Sequence, residues 1–458
     1  MPIKVAKVHT PKPLIAAIAT APGHGGIGVV RVSGDGVGVV IDGVMALSEP
    51  LKPRVATLAR FRDAGGNTID EGIALYFPGP HSYTGEDVLE LHGHGGPAVM
   101  QLLLRRCLEL GCRIARPGEF TERAFLNDRL DLAQAEGVAD LIEASSEEAA
   151  KSAARTLTGE FSACVHALTR RLTDLRVHVE ACIDFPEEEI DPADRAAQQI
   201  KLKEIRALQV DLARKAKQGA VLRDGITVVL IGRPNVGKSS LLNRLAGDDI
   251  AIVTPVAGTT RDHVRASIQL EGVPVHLIDT AGLRVTDDEV ERIGIARTWD
   301  AIEKAGAVLY ITVASEPEEI GDAQILARLS ESLSVIHVCN KVDLLPNPDV
   351  SRGTMDEVLG QIDVSAKTGQ GIEELRQRLL MLAGWQPGNE GAFLARERHL
   401  VALAEATVHI NAAANTHGQD ELFAEELRLA QRALSRITGE FTTDDLLGEI
   451  FGNFCIGK

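Results

Sequence analysis

The most chemically loaded stretch of the chain is Gly232-x-x-x-x-Gly237-Lys238-Ser239, inside "ITVVLIGRPNVGKSSLLNRLAG". The glycines let backbone N–H groups turn inward on phosphate. Lys238 sets a point charge at the outer phosphates, and Ser239 offers a hydroxyl to magnesium. Val236 lies within the motif and Ser240 directly follows it, and both join the expected GTP site. An apolar strand pattern precedes the motif and a helical pattern follows it, which separates a phosphate loop from an ordinary glycine-rich turn. About forty residues on, Asp279 ends the apolar run of "VHLIDTAG", the place for a carboxylate acting on the metal's water shell. Thr280, Ala281 and Gly282 follow, and Gly282 can offer its N–H to a γ-phosphate. In "HVCNKVD", Asp343 can accept from the ring N–H and exocyclic amine of guanine. A carboxylate facing only donors selects guanine, because mispairing a buried charge is costly. Asn340 and Lys341 brace the base, with Val342 between them and Asp343. "DVSAKTG" supplies Ser365, Ala366 and Lys367 as the last base-side loop. These four elements, in this order, predict a GTP site.

"DTAGLR" raises a difficulty. In Ras-type GTPases the residue after this glycine is a glutamine that orients the attacking water, and here it is Leu283, which can hold none. Either the domain binds GTP without hydrolysing it, or the water is positioned from elsewhere. Upstream, "TPVAGTTRD" contains Thr254, Pro255, Val256, Ala257, Gly258, Thr259 and Thr260. One threonine of that loop should reach magnesium and sense the γ-phosphate. Downstream, Glu291 of "VTDDEVERIG" is a carboxylate that can orient water through a second water. Taken alone it reads as a solvated helix residue.

The elements that must position these groups are legible in outline. Residues 1–123 alternate short β-branched runs with glycine turns, then give the helical "GPAVMQLLLRRCLELG", an α+β domain. Residues 124–222 are rich in Ala, Glu, Leu, Arg and Gln with apolar residues at helical spacing. Residues 223–384 alternate strands and helices, the α/β signature. Residues 385–458 return to a helical pattern. The simplest reading is one helical domain, split in sequence, with the α/β domain inserted into it.

Composition narrows the class. At 458 residues, 45% hydrophobic and 25% charged, the chain is of ordinary globular make-up. It shows no run of ~18 uncharged apolar residues, and its N-terminal stretch reads as folded protein rather than a signal peptide. The net charge of −17 implies no broad basic surface, so any nucleic-acid contact should be local or shared with a partner. The cysteines are scattered without paired CxxC spacing, which fits a reducing cytosol better than a disulfide framework or zinc site. Gly23-His24-Gly25-Gly26-Ile27-Gly28 matches GxGxxG, but a strand pattern follows where a dinucleotide fold needs a helix. His92 and His94 suggest metal only superficially and read as a loop after a strand.

At this point the chain resembles a known family, the tRNA modification GTPases called MnmE or TrmE. "GRPNVGKSSLLN", "AIVTPVAGTTRD", "DTAGLRVTDDEVERIG", "TGEDVLELHGHGGP", "RPGEFTERAFLNDRLDLAQAE" and the terminal "FCIGK" all carry the likeness, which spans essentially the whole chain. The resemblance implies an N-terminal α+β folate-binding-like and dimerisation domain, and a helical bundle with an inserted Ras-like P-loop GTPase domain. It implies a cytoplasmic, potassium-activated GTPase whose G domains dimerise face to face. Potassium would sit on Asn235, Thr254, the backbone of Val256, and Thr259. Magnesium would sit on Ser239 and Thr260. Glu291 would orient the water, which reverses its bland reading. A monovalent cation there neutralises transition-state charge as an arginine finger does elsewhere.

The likeness further implies a 5-formyl-tetrahydrofolate or related one-carbon folate held by Arg31, Glu90, Arg129 and Lys458. It also implies a homodimer and a flavoprotein partner, MnmG (GidA). Together they place a carboxymethylaminomethyl or aminomethyl group on the wobble uridine of certain tRNAs. Arg129 replaces the family's more usual lysine, keeping charge but changing geometry. Cys455 of "FCIGK" is a candidate for that chemistry, provided its thiol pKa is lowered. The ending fits a prenylation box poorly, because Lys458 is terminal and no polybasic stretch precedes it. A ribosome-assembly GTPase shares the phosphate-loop sequence, but the acidic balance and the ending argue against it.

Overall fold

The computed structural model describes residues 12–184, 192–246, 264–279, 299, 301–315, 327–330, 333–345, 361–386, 391–416, 419–440, 444–452 and 454–457. The chain divides into two compact units. One comprises Met1–Ala139, Leu157–His166 and Arg432–Lys458, and the other comprises Asp140–Thr156 and Ala167–Gln431.

The first unit contains a six-stranded sheet in the order β3-β4-β5-β2-β1-β6. Its strands are β1 (Ile15–Ile18), β2 (Gly25–Ser33), β3 (Thr57–Arg62), β4 (Thr68–Phe77), β5 (Val88–Gly95) and β6 (Arg113–Ile114). Alternation of side chains with period two sorts the faces. Ala16, Val30, Val32, Leu89 and Leu91 form a core with α1 (Val37–Val44) and α2 (Pro97–Glu109), which Pro97 opens at its first position. The intervening residues Ile15, Ala17, Arg31 and Glu90 take the opposite face, where Ile15 and Ala17 pack with Phe120 and Tyr83. Arg31 and Glu90 are direct cross-strand partners. Phe120 belongs to α3 (Glu119–Leu126), and α4 (Leu132–Glu143) follows it.

The strand pattern after Gly23–Gly28 is indeed a strand, β2. His92 and His94, expected in a loop, lie instead within β5, because pairing with β2 runs on to Gly95. Their rings face carboxylates: His92 Nε2 is 3.1 Å from Glu90, and His94 Nδ1 is 2.8 Å from Asp70.

Glu119, at the start of α3, is 2% exposed. Arg113 and Arg123 donate to its carboxylate, as does the backbone N–H of Arg116 at 2.9 Å. Burial alone would raise its pKa, but these hydrogen bonds and charges outweigh burial and lower it to about 2.

The second unit carries another six-stranded sheet, ordered β12-β11-β10-β7-β9-β8. Its strands are β7 (Ile226–Gly232), β8 (Val264–Leu270), β9 (Val273–Asp279), β10 (Ala307–Val313), β11 (Ser334–Asn340) and β12 (Ile362–Asp363). All neighbours are parallel except β8 with β9. The central strands are near-continuous apolar runs, as a sheet covered on both faces requires. One core cluster joins Val228, Leu230 and Leu277 to Leu241 of α8 (Lys238–Ala246) and to Ala149 and Ala153 of α5 (Glu147–Leu157). Two long helices, α6 (Glu160–Asp184) and α7 (Pro192–Asp224), precede the sheet. Following it are α9 (Ile372–Ala383), α10 (Glu397–Asn415) and α11 (Asp420–Thr438), while α12 (Asp444–Gly452) belongs to the first unit.

The chain passes from α7 into β7, and residues 384–386 and 391–396 lie on its return. Asp140 ties the two crossings together. It is 3% exposed, and its Oδ1 lies 3.4 Å from Nε of Arg223 and 2.8 Å from a guanidinium nitrogen of Arg396.

The Glu119 network gives a pH prediction. A carboxylate whose pKa falls on folding contributes stability that is complete above its unfolded value, near 4.3, and lost as pH falls toward about 2. Glu119→Gln should therefore flatten the acid limb of the N-terminal unit's unfolding profile between those values. Equal acid sensitivity of variant and wild type in pH-resolved thermal melts would contradict this.

Candidate nucleotide site

Strand β7 delivers the chain to Gly232, and the loop to Lys238 turns sharply. Asn235 and Gly237 both take left-handed backbone angles, φ 64° and 98°. Alternation of this kind turns successive N–H groups to one side, which makes an anion-binding concavity. Val236 between them is buried in the core and anchors the loop. Lys238 Nζ donates to the carbonyls of Gly232 (2.6 Å) and Arg233 (3.2 Å), so its ammonium curls back over the loop. Ser239 and Ser240 are exposed in the first turn of α8, whose N-terminus adds a favourable dipole.

Asn340 at the end of β11 is 1% exposed. Its Nδ2 donates to Val236 O at 2.9 Å, and its Oδ1 accepts from Ala366 N at 3.2 Å. One amide thus ties the phosphate loop to the last base-side loop. Gly237 is required on two counts, since a Cβ there would collide with Nδ2 of Asn340 and the φ is left-handed. Lys341 also takes φ 64°, which swings its Nζ to within 2.8 Å of Asn235 O. Val342 is buried, and its N–H bonds to Val364 O at 3.2 Å. Ser365, fully buried, donates to Asp343 Oδ1 at 2.7 Å and accepts from Thr368 N at 3.1 Å. Asp343 is thereby oriented while staying part-exposed, and Lys367 is exposed beside it.

These residues gather at the carboxyl ends of β7, β11 and β12, where open α/β sheets bind ligands. Asp279 closes β9 with its backbone opposite Leu230 of β7; its side chain lies outside the described residues. So do Thr254, Pro255, Val256, Ala257, Gly258, Thr259, Thr260, Thr280, Ala281, Gly282 and Glu291, and in the N-terminal unit Lys458.

The first unit has a second polar cluster. Arg31 Nε donates to Glu90 at 3.0 Å, and another guanidinium nitrogen reaches Gly457 O at 3.4 Å. The guanidinium lies 5.4 Å from the Tyr83 ring centroid and 5.7 Å from that of Phe120, within cation–π range. Tyr83 hydroxyl is 2.8 Å from Thr121, and burial is the main cause raising its pKa. Arg31 and Glu90, both expected among the folate contacts, are thus paired with each other. Arg129 is exposed, and the loop bearing it lies against the turn at Gly85, with Asn127 donating to Thr84 O at 2.6 Å. Cys455 is exposed, and its carbonyl accepts from Gly118 N at 3.4 Å. Tyr83, Phe120 and Gly457 escaped the sequence reading. Tyr83 directly precedes "TGED", and an aromatic beside a glycine turn was the available signal.

Comparison with known proteins gives a consistent result. The family described as "MnmE helical domain" matches residues 132–455, and "GTP-binding protein TrmE N-terminus" matches residues 14–129. The chain is 58% identical over 449 residues to the tRNA modification GTPase MnmE of Thiobacillus denitrificans, covering 98% of this chain and 99% of that one. It is 57% identical over 470 residues to the protein of that name from Cupriavidus metallidurans, covering 97% and 98%. It is 58% identical over 453 residues to that from Azoarcus sp. strain BH72, covering 99% of each.

The Asn340 amide generates the second prediction. Asn340→Ala removes both bonds and leaves Val236 O and Ala366 N–H unpaired, a cost of about 1–3 kcal/mol. GTP and GDP should each bind roughly tenfold or more weakly by titration calorimetry. Unchanged affinity would show that the two loops hold their places without it.

Proposed function

The chain belongs to the MnmE family of tRNA modification GTPases, and from that premise we propose how its residues divide the work. The protein hydrolyses GTP in tRNA modification. The observation that carries the site assignment is the single buried amide of Asn340, which locks the phosphate loop to the guanine-side loop and leaves Asp343 oriented by Ser365.

In this reading the N–H groups of Asn235, Val236, Gly237 and Lys238 cradle the phosphates, and Lys238 leaves its carbonyl partners for the outer phosphates. Asp343 accepts from guanine. Ser239 and Thr260 hold magnesium, and Asp279 acts on its water shell; the exposed hydroxyl of Ser239 at a helix N-terminus beside a phosphate-type concavity suits that role. Asn235, Thr254, Val256 and Thr259 hold potassium. The side chain of Asn235 is exposed at the left-handed turn, and its own carbonyl is taken by Lys341, so its amide oxygen is the ligand it offers. When bound, these cations neutralise charge developing on the transferring phosphoryl group. Glu291 orients the attacking water, a duty Leu283 cannot perform.

The N-terminal unit in this reading binds a one-carbon folate. The paired Arg31 and Glu90 supply a donor and an acceptor suited to a pterin, with the Tyr83 ring beside the guanidinium. Arg129 and Lys458 supply charge for the glutamate tail, and Cys455 is a candidate participant. Homodimerisation and a flavoprotein partner of the MnmG type complete the system, which places a carboxymethylaminomethyl or aminomethyl group on the wobble uridine. Among the described residues no helix is long and apolar enough to cross a membrane.

Cation choice tests this division of labour. Replacing sodium by potassium at constant ionic strength should raise GTP turnover at least tenfold, and Asn235→Ala should remove most of that gain while GDP still binds. Equal turnover in both salts would overturn the potassium assignment.

A further inference from the structure

Strands β8 and β9 form a hairpin whose far ends lead toward the segments expected to sense the γ-phosphate, and β9 itself closes on Asp279. Its near end is a two-residue turn, Glu271–Gly272, with both residues left-handed at φ 48° and 82°, the geometry that tight hairpins favour. This turn is not left to solvent. Ser146 Oγ donates to Gly272 O at 2.8 Å and accepts from Ala149 N at 3.1 Å. The one hydroxyl therefore caps the N-terminus of α5 and holds the hairpin tip. Gln269 Nε2 donates to the carbonyl of Ser145 next door. On the other side, Glu271 accepts from Trp385 Nε1 at 3.2 Å and Gln377 Nε2 at 3.4 Å. A Cβ on Gly272 would come within 3.0 Å of Glu148 Cβ, so the contact is close-packed as well as hydrogen-bonded.

We propose that Ser146 is a positioning residue for the GTPase reaction. Through Gly272 it makes the placement of the β8–β9 hairpin, and hence of the Asp279 backbone that closes β9, depend on helix α5. The proposal rests on the assignment of the β7–α8 loop as the phosphate site. The phosphate loop and base-side loops follow the carboxyl ends of β7, β11 and β12, whereas the tip lies at the amino end of β9, parallel to β7, so the latch bears on catalysis more than on nucleotide affinity. Linkage makes the dependence reciprocal: if α5 biases the hairpin, the nucleotide state must bias the first turn of α5.

The test uses the full-length protein and two substitutions. Ser146→Asp keeps a good helix cap but has no proton to donate to Gly272 O. Ser146→Thr keeps both bonds. Hydrogen exchange of the peptide spanning residues 146–151 is compared with GDP and with GDP plus aluminium fluoride in potassium buffer, alongside GDP affinity, kcat and KM. The proposal expects exchange to differ at least threefold between the two states in wild type and in Ser146→Thr. In Ser146→Asp that difference should vanish, with kcat down at least threefold and GDP affinity and KM within twofold. No nucleotide-dependent difference in wild type, or an undiminished one in Ser146→Asp, overturns it. Should Ser146→Asp not fold, Gln269→Leu, which cuts the adjacent bond to Ser145, must at least halve the difference, and a full difference there overturns the proposal. Failure of wild type to bind GDP would instead refute the underlying site assignment.

Discussion

The nucleotide site depends on the buried side chain of Asn340. Its amide has a donor and an acceptor end, and each is matched by a backbone group from a different loop, Val236 O and Ala366 N–H. A buried amide must satisfy both ends or carry a penalty comparable to a lost hydrogen bond. The two loops are thus fixed relative to one another, at a spacing set by a single planar group. Gly237 follows from the same constraint, since any larger residue would occupy the space of that amide.

Around this brace the rest of the second unit is scaffold. Parallel strands covered on both faces supply rigid supports, and the loops at their carboxyl ends supply chemistry. The inbound and outbound crossings of the α/β part are tied at Asp140 by Arg223 and Arg396. Removing one partner of such a buried group is far costlier than the net worth of the group itself, so these crossings are held as one element. The Glu119 network does comparable work in the first unit, binding α3 to the segment before it through Arg113 and Arg116.

Much of this was legible in sequence. The glycine and lysine pattern of residues 232–239 fixed a strand, a loop and a helix at once, because only that succession lets N–H groups converge. Arg31 became a candidate only through the family likeness, and its pairing with Glu90 was not legible, because cross-strand register depends on the bulge between Gly25 and Gly28. His92 and His94 were misplaced into a loop because Gly93 and Gly95 read as turn residues. In the sheet those glycines are close-approach points where a Cβ would meet Asp70 or the backbone of Ile27. Ser146 gave no sign at all, since its partner is a backbone carbonyl 126 residues away and no side-chain pattern records such a bond.

The proposed action of this GTPase on the wobble uridine of tRNA is the central claim. It is met most directly by nucleoside mass spectrometry of tRNA from a strain lacking the protein. The account predicts loss of the carboxymethylaminomethyl or aminomethyl group at that uridine, restored by the wild-type chain. Full modification in the strain without the protein would contradict it.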